Sequence, residues 1–484
     1  MATETKNYDL VIIGGGPAGI TAAATAADCH KTVALVDSHH ELGGAGVNTG
    51  TVPSKTLRET ALALSGLKSR ALYGVDLSLR REVTVADFLR HEQNIRDAFH
   101  TSLSSRLHSN NAEVYSGAAS FVDAHTLTVS LLPPTSETAA PAGEGETVQL
   151  RGESILIASG SSPVRPDLFP FGKGEIYDSD TILKLDRIPK ALAVIGAGVI
   201  GSEYGSTFAA LGAKVHIIDG RDKLLPFLDR EVSHALGAAM ARNGIVFHWN
   251  EEVRECIQDP EDGVTLTFVS GTTLKVDAVL VAAGRQSNTG KLNLPAAGVT
   301  TGKRGIIPVN ENYCTNVPNI YAAGDVIGFP ALASTSMEQA RRAVRHALGV
   351  KATMLSPLLP NGIYTIPEVS MVGETEESLK KQGIDYVVGR ARYENSARGR
   401  IIGDDEGFLK LFFRRDNMKL VGVHVLGELA TEIVHIGLMA MMTQSTAEIF
   451  VEACFNVPTL GVLYKNATMN ALRDMPEIQK GPNS

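Results

Sequence analysis

The chain has 484 residues, a formal net charge of −8, 20% charged residues and 47 glycines. That length is too great for one hydrophobic core and implies two or three domains, and the acidic balance disfavours nonspecific nucleic-acid binding. Four cysteines (Cys29, Cys256, Cys314 and Cys454) are scattered without CxxC spacing, which argues against a disulfide scaffold or zinc site and fits a reducing compartment.

The N-terminus, MATETKNYD, is polar, and the stretch from Leu10 to Ala27 is interrupted by glycines and Pro17. Neither a signal peptide nor a membrane span is expected, so a cytoplasmic protein without a membrane partner is the expectation. Tyr8 to Ile13 reads as a strand, followed by Gly14, Gly16 and Gly19 in a GxGxxG turn and an alanine-rich helix. A second strand, Val33 to Val36, ends in Asp37. Strand, glycine turn, helix, strand and terminal acid form the dinucleotide-binding fingerprint, with Asp37 placed to accept from a ribose hydroxyl.

From Glu41 to Glu59 the chain reads ELGGAGVNTGTVPSKTLRE. Gly43 and Gly44 permit close backbone approach to a ligand, Pro53 opens a helix, and Lys55 falls in its first turn. Gly46 and Thr51 stand five positions apart in an irregular segment, and neither can carry electrons or act as a strong nucleophile. Thr84 and Asp87 form a capping box ahead of an amphipathic helix carrying Phe88, Ile95, Phe99, Leu103 and Leu107. Short strands are expected around Gly117, Ala118 and Ala119, and a mobile hairpin tip from Pro133 to Glu146.

Ser154 to Ala158 reads as a strand that ends in a breaking turn, Ser159 to Pro163, marking a domain crossover. The fingerprint then recurs: a strand from Leu192 to Ile195, the glycines Gly196, Gly198 and Gly201, a helix carrying Glu203, and a strand from Val215 to Ile218 ending in Asp219. Two such units in one chain imply two bound dinucleotides and suggest a flavoprotein fed by a nicotinamide. Asp219 favours the free 2′-hydroxyl of NAD(H), whereas Arg221 suits the 2′-phosphate of NADP(H). Acceptance of both is expected; a solvated arginine beside a plain NAD site is the alternative. Ala278 to Ala282 closes the inserted domain at Gly284. Asn319 to Ala323 leads to Gly324 and Asp325, a carboxylate for a chain of sugar hydroxyls or else a surface turn. The run Arg341 to His346 reads as a solvated helix face. Glu432 and His435 lack further ligands at metal spacing, so core or interface packing is expected there and no metal site.

These residues together resemble the two-dinucleotide-binding-domain flavoprotein reductases, the family of dihydrolipoamide dehydrogenase and glutathione reductase. The likeness runs nearly end to end. It is carried by the first GxGxxG, Asp37, ASGSSP (Ala158 to Pro163), AAGRQSN (Ala282 to Asn288), AAGD (Ala322 to Asp325) and YTIPEVSMVGETE after Ile363. It implies an α/β fold with two Rossmann-like domains and a C-terminal α+β dimerisation domain. The implied boundaries are residues 1–160 and 285–350 for FAD, 161–284 for NAD(P), and 351–484 for a homodimer interface, with further association left open. It also implies that Asp325 holds the ribityl chain, that Ala333 follows beside the flavin, and that Lys55 and its partner Glu203 lie near flavin N5. Ala119, Gly160, Val253 and Gly284 complete the implied cofactor-binding set.

Two departures matter. Disulfide reductases of this family carry a redox cysteine pair where Gly46 and Thr51 stand. They also carry a His-Pro…Glu unit where this chain has Val457 and Val462, and valine cannot move a proton. GTVPSKTLRE, RDKLLPFLD, RGRIIGDDEGFLKLFF, TEIVHIG and FNVPT resemble the soluble pyridine nucleotide transhydrogenases, although many of those keep a cysteine at the Gly46 position and a glutamate at the Val462 position. The resemblance therefore implies FAD-dependent hydride exchange between NADPH and NAD+ without a disulfide relay. An NAD(P)H:quinone or dye reductase is the alternative enzyme, and an idle FAD-binding subunit the alternative from another class. Lys55 and Glu203 are then the expected catalytic residues, with a purely structural ion pair as the alternative.

Overall fold

The computed structural model describes residues 5–65, 84–133, 146–172, 174–259, 263–351, 355–473 and 475. Runs of consecutive apolar residues build two parallel sheets. Val33–Asp37 is buried at every position, as a strand covered on both faces must be. It pairs in parallel with Thr5–Ile13 on one side and the start of Glu113–Phe121 on the other. Thr5–Ile13 in turn pairs in parallel with Thr147–Ile157, which Ile320–Ala322 flanks. The outer halves of Glu113–Phe121, Thr126–Leu131 and Thr147–Ile157 form an antiparallel meander.

Glu113–Phe121 is one continuous nine-residue strand rather than short pieces. Gly117 does not interrupt it, because its missing side chain admits the Ser130 carbonyl oxygen to within 2.5 Å of a Cβ position. Of the expected hairpin tip, residues 134–145 lie outside the described residues, between strands that pair Ser130 with Thr147. Thr84 and Asp87 form the expected reciprocal cap of the helix Val85–Ser109. Phe88 and Leu107 of that helix are buried, but Phe99 is exposed.

The second parallel sheet runs in the order Ile245–Trp249, Lys214–Asp219, Ala191–Ile195, Ala278–Val281, Ile176–Asp178. A separate meander of Val253–Asp259, Gly263–Phe268 and Thr273–Val276 follows its outer strand. The chain enters this domain through Ser161–Pro163 and leaves through Arg285–Ser287, and these two segments pair antiparallel. The expected turn at the crossover is therefore half of a two-stranded ribbon. A five-stranded antiparallel sheet in the order Asn361–Ile363, Val369–Gly373, Leu420–Leu426, Phe408–Arg414, Tyr386–Arg392 forms the C-terminal part, against which the helices Ala430–Met442 and Val462–Arg473 pack.

Lys410, in the strand Phe408–Arg414, joins this last sheet to the second domain. Its ammonium is wholly buried, 2.9 Å from both Asp229 Oδ1 and Glu231 Oε2 and 3.3 Å from Glu376 Oε2. Asp229 also caps the helix Arg230–Arg242, accepting from the Glu231 N–H. A buried ammonium needs such partners, since desolvation alone would neutralise it.

Candidate active site

Both fingerprints fold into the same local shape, and each glycine has its own reason. Gly14 and Gly196 have φ of +111° and +108°, and a Cβ on either would meet a carbonyl oxygen, of Ala158 at 2.3 Å and of Ala282 at 2.7 Å. On Gly19 and Gly201 a Cβ would lie 1.8 Å and 2.0 Å from the carbonyl oxygens of Gly14 and Gly196, so close packing of helix on strand demands glycine there. Gly198 differs: nothing lies within 4 Å of its Cβ position, and Gly16 has only the Gly44 Cα, at 3.7 Å. Gly16 and Gly198 are also the N-caps of the helices Pro17–Asp28 and Val199–Ala210, and neither helix has a side-chain cap. Each unit thus offers open space in front of uncapped N–H groups at a positive helix end, the arrangement that receives a pyrophosphate.

The terminal acids close the two turns in parallel ways. Asp37 Oδ2 accepts the Gly15 N–H at 2.6 Å and Oδ1 accepts the His39 N–H at 2.9 Å. Asp219 Oδ2 accepts the Ala197 N–H at 2.7 Å and Oδ1 accepts the Arg221 N–H at 2.9 Å. The Arg221 side chain then folds back on the same carboxylate, with Nε 2.8 Å from Oδ1 and Nη2 2.6 Å from Oδ2. Burial opposes ionisation of Asp219, but Arg221 and the two N–H donors outweigh it and hold its carboxyl below the ordinary range.

Lys55 and Glu203 meet where the three folded parts join. The irregular segment expected between Gly44 and Pro53 is a short helix, Gly44–Asn48, and the next helix is Thr51–Ser65, which opens two residues before Pro53. Pro53 is tolerated because first-turn N–H groups have no partner within the helix. Lys55 Nζ lies 2.7 Å from Glu203 Oε2 and stands over the Tyr364 ring, 4.9 Å from its centroid. The other Glu203 oxygen accepts the Tyr364 N–H at 2.9 Å. One turn after Lys55, buried Arg58 donates to the Thr365 carbonyl and pairs with Glu368 at 3.1 Å. Burial pushes the Glu368 carboxyl up in spite of the Arg58 charge.

A second junction lies at the crossover ribbon. Ser161 donates to Asp325 Oδ2 at 2.7 Å, and Arg285 donates to the Ser161 hydroxyl at 2.8 Å and its carbonyl at 2.7 Å. Asp325 is half-buried in the helical turn Gly324–Ile327, rather than on a bare surface turn. Gly160 and Gly284, at positive φ, flank the ribbon. Ala333 begins the helix Ala333–Ala347, Ala119 is buried within Glu113–Phe121, and Val253 opens the meander of the second domain. Sequence reasoning gave Arg58, Ser161, Arg285, Tyr364 and Glu368 only as members of motifs and assigned none of them a role. Their partners are remote in sequence and leave no local pattern.

The positions without thiols have a structural counterpart. A Cβ on Gly46 would lie 2.6 Å from Pro17 Cγ. The thiol of Cys256 is pushed up to about 11 by burial, and burial also raises that of Cys314, so these two are inert rather than nucleophilic. Val457 is exposed, and Val462 starts the helix Val462–Arg473. His435 is also exposed rather than core-packed, with Nδ1 3.2 Å from the Glu432 carbonyl oxygen. Among the described residues no cluster of His, Cys, Asp and Glu is arranged to hold a metal ion, and no helix is long and apolar enough to cross a membrane.

A family model described as pyridine nucleotide-disulphide oxidoreductase matches residues 8–347, and one for the dimerisation domain of the same family matches residues 359–467. The chain is 42% identical over 475 residues to a protein of Mycobacterium bovis named soluble pyridine nucleotide transhydrogenase, covering 98% of this chain and 99% of that one. A protein of the same name from Colwellia psychrerythraea is 40% identical over 475 residues, covering 97% and 99%. Among solved structures, the flavoprotein disulfide reductase RclA of Escherichia coli superposes with a TM-score of 0.85 at 26% identity, over 96% of this chain and 99% of that one. LpdA of Mycobacterium tuberculosis superposes with a TM-score of 0.86 at 25% identity, with the same coverage.

Proposed function

Because the chain belongs to the pyridine nucleotide-disulphide oxidoreductase family, we propose that it is an FAD-dependent enzyme exchanging hydride between NADPH and NAD+. The observation that carries the reading is the duplicated, uncapped glycine turn, paired with the absence of thiols and imidazole at the positions a disulfide relay needs. Bound FAD would supply the two-electron chemistry. The residues fit it: Gly14, Gly16 and Gly19 leave room for a pyrophosphate, Asp37 keeps acceptor capacity for a ribose, and Asp325 faces the crossover ribbon beside Gly160. In the second unit Gly196, Gly198 and Gly201 take the nicotinamide nucleotide, with Asp219 and Arg221 at its ribose.

The chain's part is to orient and to set the field. Lys55 presents a fixed positive charge, held by Glu203 and roofed by Tyr364, at the junction where both nucleotide units converge. Glu203 is locked in turn by the Tyr364 N–H, so it cannot follow Lys55 away. No side chain has to gain or lose a proton, in keeping with Gly46, Thr51, Val457 and Val462. Both nucleotides use one site in turn, so the kinetics are ping-pong. The protein works as a homodimer through the C-terminal part. Support for this comes from exposed Met439, Met442, Ile449 and Val457 on a region that matches a dimerisation domain.

Anaerobic stopped-flow tests this. The flavoprotein is reduced with NADPH and then mixed separately with thio-NAD+ and with benzoquinone. Rapid reoxidation by thio-NAD+ is expected. Rapid reoxidation by benzoquinone alone would replace the reading with a quinone reductase, and failure of NADPH to reduce the flavin would refute both.

A further inference from the structure

The chain contains its own control for the second ribose site. Asp37 and Asp219 occupy equivalent places in the two units, and each is followed two residues later by a side chain that turns back to it, His39 and Arg221 respectively. A carboxylate offers about four acceptor positions. Asp37 has two filled by backbone N–H groups and a third, on Oδ1, by His39 Nδ1 at 3.3 Å. Room for a ribose hydroxyl remains on Oδ2. Asp219 has all four filled, by the Ala197 N–H, the Arg221 N–H, Arg221 Nε and Arg221 Nη2, at 2.6 to 2.9 Å. A 2′-hydroxyl cannot donate to Asp219 while the guanidinium stays in place.

We propose that Arg221 is a two-position specificity switch, clamped on Asp219 when the site is free, displaced by the 2′-hydroxyl of NAD(H), and shared with the 2′-phosphate of NADP(H). The inference rests on the reading of the second unit as the nicotinamide-nucleotide site. Arg221 can move, since about half of its side chain is exposed while Asp219 is buried. It can also bridge. A guanidinium has five N–H donors and Asp219 engages two, so the remaining three can face a phosphate while the bonds to Asp219 persist. Bridging keeps the Asp219 charge neutralised, which a 2′-phosphate requires of a neighbouring carboxylate. The same arginine therefore assists one nucleotide and obstructs the other.

This predicts effects of opposite sign. Arg221→Ala should weaken NADP+ binding by about tenfold or more, the loss of a charge-assisted phosphate contact. It should tighten NAD+ binding by about threefold or more, because the hydroxyl no longer displaces a hydrogen bond. Calorimetric titration of the oxidised holoprotein reads both, with adenosine 2′,5′-bisphosphate and 5′-AMP as probes that lack the nicotinamide. Arg221→Lys, which keeps the charge without the fork, should retain part of the preference for the bisphosphate. Parallel weakening of both nucleotides, or no change in either, would overturn the switch while leaving the site assignment intact. If neither probe nor either nucleotide binds the parent protein, the assignment of the second unit falls as well.

Discussion

Replacing Lys55 by methionine separates a functional charge from a structural one, provided Glu203 is varied alongside it. Lys55→Met leaves the Glu203 carboxylate, whose side chain is only 7% exposed, with the Tyr364 N–H as its remaining donor. Removing one partner from a fully buried pair costs about 3–5 kcal/mol. The Lys55 side chain is 27% exposed, so solvent screening reduces this to about 2 kcal/mol. Glu203→Gln in the Lys55→Met background removes the stranded charge and should restore most of that loss. The rate of flavin reduction by NADPH should behave differently: it falls about a hundredfold in Lys55→Met, the scale of losing one preorganised electrostatic group, and stays low in the double variant. Denaturant midpoints and anaerobic stopped-flow on the parent, both single variants and the double variant complete the cycle. Recovery of the reduction rate together with stability in the double variant would refute a role for the Lys55 charge in hydride transfer.

Lys410→Met should destabilise by about 3–5 kcal/mol by stranding Asp229, itself wholly buried, at the seam between the second and C-terminal domains; Lys380→Met, on the exposed side of Glu376, should leave the denaturation curve unmoved. Burial, then the neighbouring His248 and Lys214, push His216 down from 6.5 to about 4. The unfolded chain therefore binds more protons between those values, so stability falls as pH drops through that window, with the full penalty present below it. His216→Leu should flatten the melting temperature against pH there, and an unchanged slope would count against the assignment. Gly198→Ala should fold normally and raise KM for both nucleotides, because its Cβ enters only the open space before the helix. Gly201→Ala should lower the melting temperature, because its Cβ meets the Gly196 carbonyl. Circular-dichroism melts with steady-state kinetics check this pair, and equal melting temperatures would contradict the geometry.

What the sequence shows and what it hides divide along the range of the interaction. Both glycine turns, the acids that end the second strands and the Thr84–Asp87 cap are written over a few consecutive residues, and the structure builds them as read. The short helix at Gly44–Asn48 escaped notice because its glycines oppose helix propensity, and packing overrides that weak preference. The unbroken strand through Gly117 escaped because a glycine that normally weakens a strand here accommodates the partner backbone. Lys410 lies in FLKLFFR, where alternation would turn it towards solvent, yet the second domain covers that face of the strand and supplies two of its three carboxylates, Asp229 and Glu231.

The Arg221 clamp lies between these cases, and it shows what a motif leaves out. The DGR sequence names the acid and the base that could meet a ribose or a phosphate, but residue types alone make them competitors for the ligand. The fold makes them partners of each other first, with every acceptor position on Asp219 engaged. Nucleotide preference at this site is then a difference between two exchange reactions rather than between two contacts. Each nucleotide must give Arg221 or Asp219 something as good as what it interrupts, and only a phosphate can do so without leaving the arginine unpartnered. An enzyme that passes hydride between NADPH and NAD+ must bind both at one site without holding either tightly. Asp219 alone would favour the hydroxyl and repel the phosphate; a guanidinium that the hydroxyl must displace and the phosphate can share offsets that bias and brings the two affinities toward one another.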